Sequence, residues 1–346
     1  MKRMASWLCV AWCGIVVSTA YSQETGPLES LKRFSSFSHV DPGQLLNGEI
    51  LAERGPLMEF PNGIIAETCF AVPTSTKETA KRLQIWDATP HEALKVYAFQ
   101  ALHNPCEPGD FRRLSFKSNQ HSIRWLLEKT LASAPDESEL NLSRTEAPEL
   151  AGCVDKNSDP DKIASCWAKL LFARAVSFQR HGLGGIAPYE TTGETVQPMK
   201  QLRTMLGEEL PIANEFWPVL QRIGLFGSTN GARALEPFYY WSLFDADHHA
   251  TVNLGAIYQL AVNDHFQMVD MEYYVSGNYY TSVTLYEIWP ISAGGKSGSL
   301  IWRDDFFAAP TLKFTKGTER LAYGAIMLQE IKKEIRCFQD DMKTKR

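Results

Sequence analysis

The sequence predicts an α+β protein: an antiparallel sheet meander against a long C-terminal helix, with a helical insertion in the middle of the chain. Three observations carry that prediction. Residues 238–307 divide into aromatic or β-branched runs separated by short turn sequences. Residues 318–342 place Leu321, Ala325, Leu328, Ile331, Ile335, Phe338 and Met342 at three- and four-residue spacing, a stripe long enough to lie across a whole sheet. Between the early strands and the meander, residues 120–230 read as helical rather than alternating.

Taken in order, the chain opens with Lys2 and Arg3, an apolar run over residues 7–17 and small residues at 18–22, the pattern of a secretory signal peptide. Residues 1–22 are therefore read as a signal, and residues 23–346 as one domain that is periplasmic or extracellular. Trp12 precedes Cys13 where a lipoprotein signal wants a small residue, so a soluble product is expected. No later stretch reaches the roughly 18 apolar residues of a membrane span.

Residues 24–40 suggest one short helix. Residues 45–51 and 63–72 look extended, the second rich in strand formers up to Pro73. Ser75, Thr76, Lys77 and Glu78 form a capping-box sequence that starts a helix at residues 76–85. The Trp86-Asp87-Ala88-Thr89-Pro90 segment breaks it, and residues 94–102 alternate like a strand. Helical spacing follows at residues 123–131, 164–180, 199–206 and 212–223, with an acidic loop expected at 134–148 and a glycine-rich boundary loop at 224–231.

Hydrophobic residues make up 44% of the chain and charged residues 22%, ordinary usage for a folded domain. Without Lys2 and Arg3, 33 basic residues face 40 acidic ones, a net charge of −7. That balance argues against nucleic acid as a partner, because phosphate binding needs a basic face. Beyond residue 22 stand Cys69, Cys106, Cys153, Cys166 and Cys337. The preferred bridge is Cys153–Cys166, which closes a short polar loop. Cys69 and Cys337 read as small buried hydrophobes.

Strand, proline, capped helix, break and strand, then a meander and a long last helix: this order, carried by residues 64–72, 75–87 and 238–342, resembles the START-like or helix-grip superfamily of lipid-transfer and polyketide-cyclase-type proteins. The resemblance implies a curved sheet that grips the last helix and leaves an apolar cavity. The insertion at residues 120–230 and the export signal depart from that pattern. The chain also resembles exported bacterial proteins.

Several partial motifs fail on spacing. Asp245-Ala246-Asp247-His248-His249 is the densest run of metal-ligand types, but adjacent histidines on a strand face opposite ways, so it reads as a polar turn. His91-Glu92-Ala93-Leu94-Lys95 has Lys95 where a zincin needs histidine. Gly294-Gly295-Lys296-Ser297 lacks the first glycine of a P-loop and reads as a hairpin. No nucleophile elbow occurs. Asp270 and Glu272 share one strand face, with Tyr274 two residues on; they read as solvent-face residues, although paired carboxylates in a cavity would do acid–base work.

The resulting expectation is a binding protein rather than an enzyme, with no catalytic residues, metal or cofactor assigned. A hydrophobic or amphipathic, lipid-like small molecule would sit against Tyr240, Tyr258, Met271, Tyr273, Leu285, Leu328 and Ile335. The alternatives are an exported metal-dependent hydrolase or cyclase-like enzyme using acidic and histidine residues near the cavity, or an envelope interaction module docking through Trp167, Leu171 and Phe178.

Overall fold

Strand formers in two distant parts of the chain meet in one sheet. The computed structural model describes residues 26–132, 139–191, 193–226 and 234–344. The expected signal at residues 1–22 and part of the expected loop at 224–231 lie outside these residues.

The first half comprises α1 (Pro27–Phe34), α2 (Pro42–Leu46), β1 (Ile50–Arg54), β2 (Gly63–Val72), α3 (Thr76–Gln84) and β3 (Val96–Ala101), then α4 (His121–Leu131), α5 (Glu146–Cys153) and α6 (Pro160–His181). A short hairpin, β4 (Tyr189–Thr191) and β5 (Glu194–Val196), precedes α7 (Pro198–Glu208), α8 (Leu210–Glu215) and α9 (Trp217–Arg222). The second half is β6 (Phe238–Ala246), β7 (His249–Val262), β8 (His265–Val275), β9 (Thr281–Ala293), β10 (Lys296–Ala308) and α10 (Thr318–Thr344). The protein is thus α+β, with an eight-stranded antiparallel sheet and a C-terminal helix.

The sheet order is β1-β2-β10-β9-β8-β7-β6-β3. β2 pairs with β10 from Gly63 opposite Ala308 to Val72 opposite Ser299, so an early hairpin is welded to the last strand. Two-residue turns join β6 to β7 and β9 to β10. Asp247 and His248 take φ of 51° and 66°, and Gly294 and Gly295 take 58° and 76°, the left-handed geometry that matches the twist of paired strands.

Strand alternation sends side chains to two different cores. On one face Trp241, Leu254, Met271, Leu285 and Trp302 pack with Leu31, Trp167, Leu171 and Phe178 from the helices. On the other, Tyr240, Ile257, Met268, Ile288 and Ile301 pack with Ala80 of α3 and with Ile331, Ile335, Phe338 and Met342 of α10. α10 contacts β2 and β1. Near its C-terminus, Trp86 Nε1 donates to Asp341 at 2.9 Å and His91 Nε2 lies 3.0 Å from the same carboxylate, which ties the helix to the segment after α3.

Some local expectations change. Residues 45–51 are not all extended: Asp41 accepts from the Gly43 and Gln44 amides and Pro42 starts a helix, so the strand begins at Ile50. Ser75 does accept from the Glu78 amide, but Glu78 turns forward to Arg82 at 2.5 Å instead of closing the capping box. The loop expected at 134–148 is, from Leu140, part of the interior. Leu140 bridges to Gly277, and buried Asn141 donates to the Val275 and Tyr279 carbonyls at 3.0 and 2.7 Å. Cys153 and Cys166 form a disulfide. Cys69 is buried, whereas Cys337 is partly exposed.

Candidate functional site

Between the second sheet face and α10 lies a cavity of about 1490 Å³. Ordinary small-molecule pockets hold roughly 300–1,000 Å³, so a small metabolite alone would leave much of it unfilled. Its walls mix apolar residues, Trp86, Phe99, Ile257, Met327 and Ile331 among them, with charged ones such as Lys95, Asp245, Lys313 and Lys333. Phe314, Tyr323 and Ile326 line it as well and are exposed, Phe314 at 78%, which puts an apolar rim where the cavity meets solvent.

The floor is polar, and each floor residue has a local reason to be there. Asp270 and Glu272 alternate with Val269 and Met271, so both carboxylates point away from the helical core and into the cavity. Tyr240 sits opposite Gly255 in the β6–β7 register. A Cβ at Gly255 would fall 2.1 Å from the tyrosine ring, so only glycine lets the ring cross the strand. The Tyr240 hydroxyl then donates to Asp270 Oδ1 at 2.9 Å. Glu272 accepts from Tyr279 at 2.6 Å, from Ser282 at 2.6 Å and from the Asn253 amide. Arg303 donates twice to Asp305, at 2.8 Å each, and also reaches Glu334 of α10 at 3.0 Å. Thr284 donates to Asp305 at 2.8 Å.

This environment raises both carboxyl groups. Burial, reinforced by the neighbouring Glu272 charge, pushes Asp270 up to about 8, against a lowering by Tyr240 and Arg303. Burial also raises Glu272, but hydrogen bonds from Ser282, Tyr279 and Asn253 oppose it. Burial on its own would lower Arg303; the Asp305 and Glu334 charges more than offset it and hold the guanidinium well above its usual value. Asp270 is therefore mostly protonated near neutral pH, next to Glu272, whose oxygens accept from three donors. Such a pair can bind a cation or hand over a proton.

The seven expected lining residues divide between the two cores. Tyr240 lines the cavity, and Leu328 and Ile335 belong to the core that α10 forms with the sheet. Tyr258, Met271, Tyr273 and Leu285 lie on the opposite face, packed with the helices, because strand parity sends them there. Tyr273 stacks on Phe178 with ring centroids 3.8 Å apart. Tyr274, expected to share a face with Asp270 and Glu272, instead lies on the same side as Tyr273. The β7–β8 register slips at Leu254/Gly255, and beyond that irregularity both tyrosines join the helical core. The residues that sequence reasoning set aside, Asp270 and Glu272, are on the cavity floor rather than on a solvent face. Their shared parity with Tyr240 across Gly255 was the available signal.

The other partial motifs resolve simply. Asp245 caps the β6–β7 turn by accepting from the His248 amide at 2.7 Å, and the His249 ring packs at a tilt against Trp125, centroids 4.3 Å apart. Among the described residues no group of three or more His, Cys, Asp or Glu is arranged to hold a metal ion. His103, Asp110 and Cys106 come together, but burial pushes the Cys106 thiol up to about 12, with Asp110 adding to the rise, so it is no nucleophile at neutral pH. Trp167, Leu171 and Phe178 are interior and present no docking face. Among the described residues no helix is long and apolar enough to cross a membrane.

Comparisons with protein-family models, with curated proteins and with solved structures find no match.

Proposed function

We propose that this chain is an exported binding protein whose sheet grips the C-terminal helix and encloses an amphipathic, lipid-like molecule between them. One observation carries the reading: a cavity of about 1490 Å³ between sheet and helix, with a large apolar lining, a buried polar floor at Asp270 and Glu272, and exposed aromatic and aliphatic residues at its rim. Burial of a long apolar tail supplies affinity at roughly 0.8 kcal/mol per methylene, and the floor orients the polar end. The Cys153–Cys166 disulfide supports an oxidising compartment, and with it the signal reading of residues 1–22. The helical block at residues 120–230 then serves as a scaffold insertion that backs the sheet.

Titration with Nile red, a neutral apolar dye, tests this. Bound dye brightens and shifts blue, and Met327→Trp, which narrows the cavity from the α10 side, weakens binding. An unchanged affinity in that variant, or no uptake at all, contradicts the reading.

A second reading is favoured by the protonated Asp270 beside Glu272: cyclase-like proton transfer to an enclosed substrate. Its sign would be a retained molecule whose mass differs between the wild-type protein and Asp270→Asn.

A further inference from the structure

The hydrogen-bond inventory of the cavity floor narrows the class of ligand. The donors of Tyr240, Tyr279, Ser282, Asn253, Thr284 and Arg303 are all aimed at carboxylates of the floor itself. A carboxylate offers about four lone-pair sites, and Asp270 accepts from Tyr240 at one oxygen. Apart from the proton that Asp270 itself holds near neutral pH, what the floor has to spare is acceptor capacity. Charge points the same way. Asp270, Glu272, Asp305 and Glu334 gather around one guanidinium, Arg303, which is already shared between Asp305 and Glu334. A fatty acid or phosphate head on this floor would meet lone pairs and negative charge; Arg303 is engaged, and the lysines that line the cavity elsewhere, Lys95, Lys313 and Lys333, pair with Asp245, Glu194 and Glu330.

We infer that the cavity selects a cationic amphiphile: an apolar chain ending in a protonated amine that docks on Asp270 and Glu272. This inference rests on the binding reading above and specifies its ligand. The ammonium brings three donors to the acceptors that Tyr240, Tyr279 and Ser282 leave open. It also supplies the positive charge that lets both carboxyl groups ionise together. The groups facing Asp270 are Glu272 on its own strand, Tyr240 on β6, Tyr279 before β9, Tyr286 on β9, Arg303 and Asp305 on β10, and Glu334 on α10. Of these only Arg303 is cationic. Docking of the amine therefore requires Asp270 to lose its proton, and affinity rises with pH across the range in which the empty site still holds it. An alkylammonium keeps its own proton to about pH 10, so the ligand does not titrate in that window.

Three probes with one tail test this: n-decylammonium, n-decanol and decanoate, titrated calorimetrically below their micellar concentrations. At pH 8.5 decylammonium should bind at least about tenfold more tightly than decanol, with decanoate weakest. From pH 8.5 to pH 6 the amine should lose about tenfold or more in affinity while decanol stays level. In the Asp270→Asn/Glu272→Gln variant, with its melting transition checked, the amine preference should collapse to about threefold or less. Decanol or decanoate binding as tightly as the amine overturns the inference and leaves the cavity reading standing. So does a preference that survives the double substitution. Failure of all three probes overturns both.

Discussion

The hydroxyl of Tyr240 lies 2.9 Å from Asp270 Oδ1, and it reaches that position only because its ring passes over a strand residue without a side chain, Gly255. This contact sets the polar end of the cavity. Gly255→Ala places a methyl group inside the tyrosine ring, so the ring must leave. We expect that variant to lose about 1–3 kcal/mol of stability from overpacking and to bind the cavity probes more weakly. Tyr240→Phe keeps the ring and removes only the donor. It should leave Nile red uptake within about twofold while raising the Asp270 pKa further. NMR titration of Asp270 in the two variants separates ring placement from hydrogen bonding.

Stability should fall as pH rises from about 5 to 8. Asp270 is raised to about 8 and Glu287 to about 7, in both cases chiefly by burial. The folded state therefore holds protons that the unfolded chain, with ordinary carboxyl groups, has already released over that window. His265 is raised as well: burial would lower it, but the hydrogen bond and charge of Glu287 outweigh that. Its contribution is complete below its unfolded pKa and is lost as pH climbs through the folded one, so it adds to the same slope. Urea unfolding at pH 5, 6.5 and 8 checks the trend. Asp270→Asn should flatten it, and a stability that rises over this range would contradict the account.

Asp304 is the mirror image of Asp305. It points into the helical core, fully buried, and neither carboxyl oxygen has a hydrogen-bond partner. Burial and the nearby Glu67 charge raise its pKa well above normal. An unpartnered polar group in a core costs about 1–3 kcal/mol, and valine suits the strand while removing an acidic group from beside Glu67 and Glu209. Asp304→Val should therefore stabilise the protein by about 1–2 kcal/mol at pH 7 in a denaturant melt. A loss of stability would mean that the carboxyl group has a role in the folded core.

The Cys153–Cys166 bridge spans a sequence separation of 13 and joins the end of α5 to α6. Closing a loop of that length stabilises by roughly 3 kcal/mol through the unfolded state. The double substitution Cys153→Ala/Cys166→Ala should lower stability by about 2–4 kcal/mol, and reductant should have no further effect on the variant.

Much of the architecture is legible in the sequence, because periodicity and turn chemistry are local. The last five strands, their glycine or Asp-His turns, α3, α6 and α10 all follow from spacing and caps. The site is less legible, for two physical reasons. Strand parity tells which residues share a face but not which face meets which layer, so Tyr258, Met271, Tyr273 and Leu285, expected at the cavity, pack against the helices instead. The irregularity at Leu254/Gly255 then turns Tyr274 toward the helices, away from Asp270 and Glu272, and local sequence carries no mark of that slip beyond the glycine. The expected loop near residue 140 failed for a similar reason. Asn141 is polar because it bonds to buried carbonyls of Val275 and Tyr279, not because it faces water.

The most direct test of the enclosed-ligand account is native mass spectrometry of the full chain purified under native conditions, repeated after denaturation. The account predicts a co-purifying amphiphile that leaves on unfolding, carries a basic nitrogen, and is absent from Met327→Trp. A bare polypeptide mass, together with failure of the variant and the wild type to differ in uptake of added decylammonium, would contradict it.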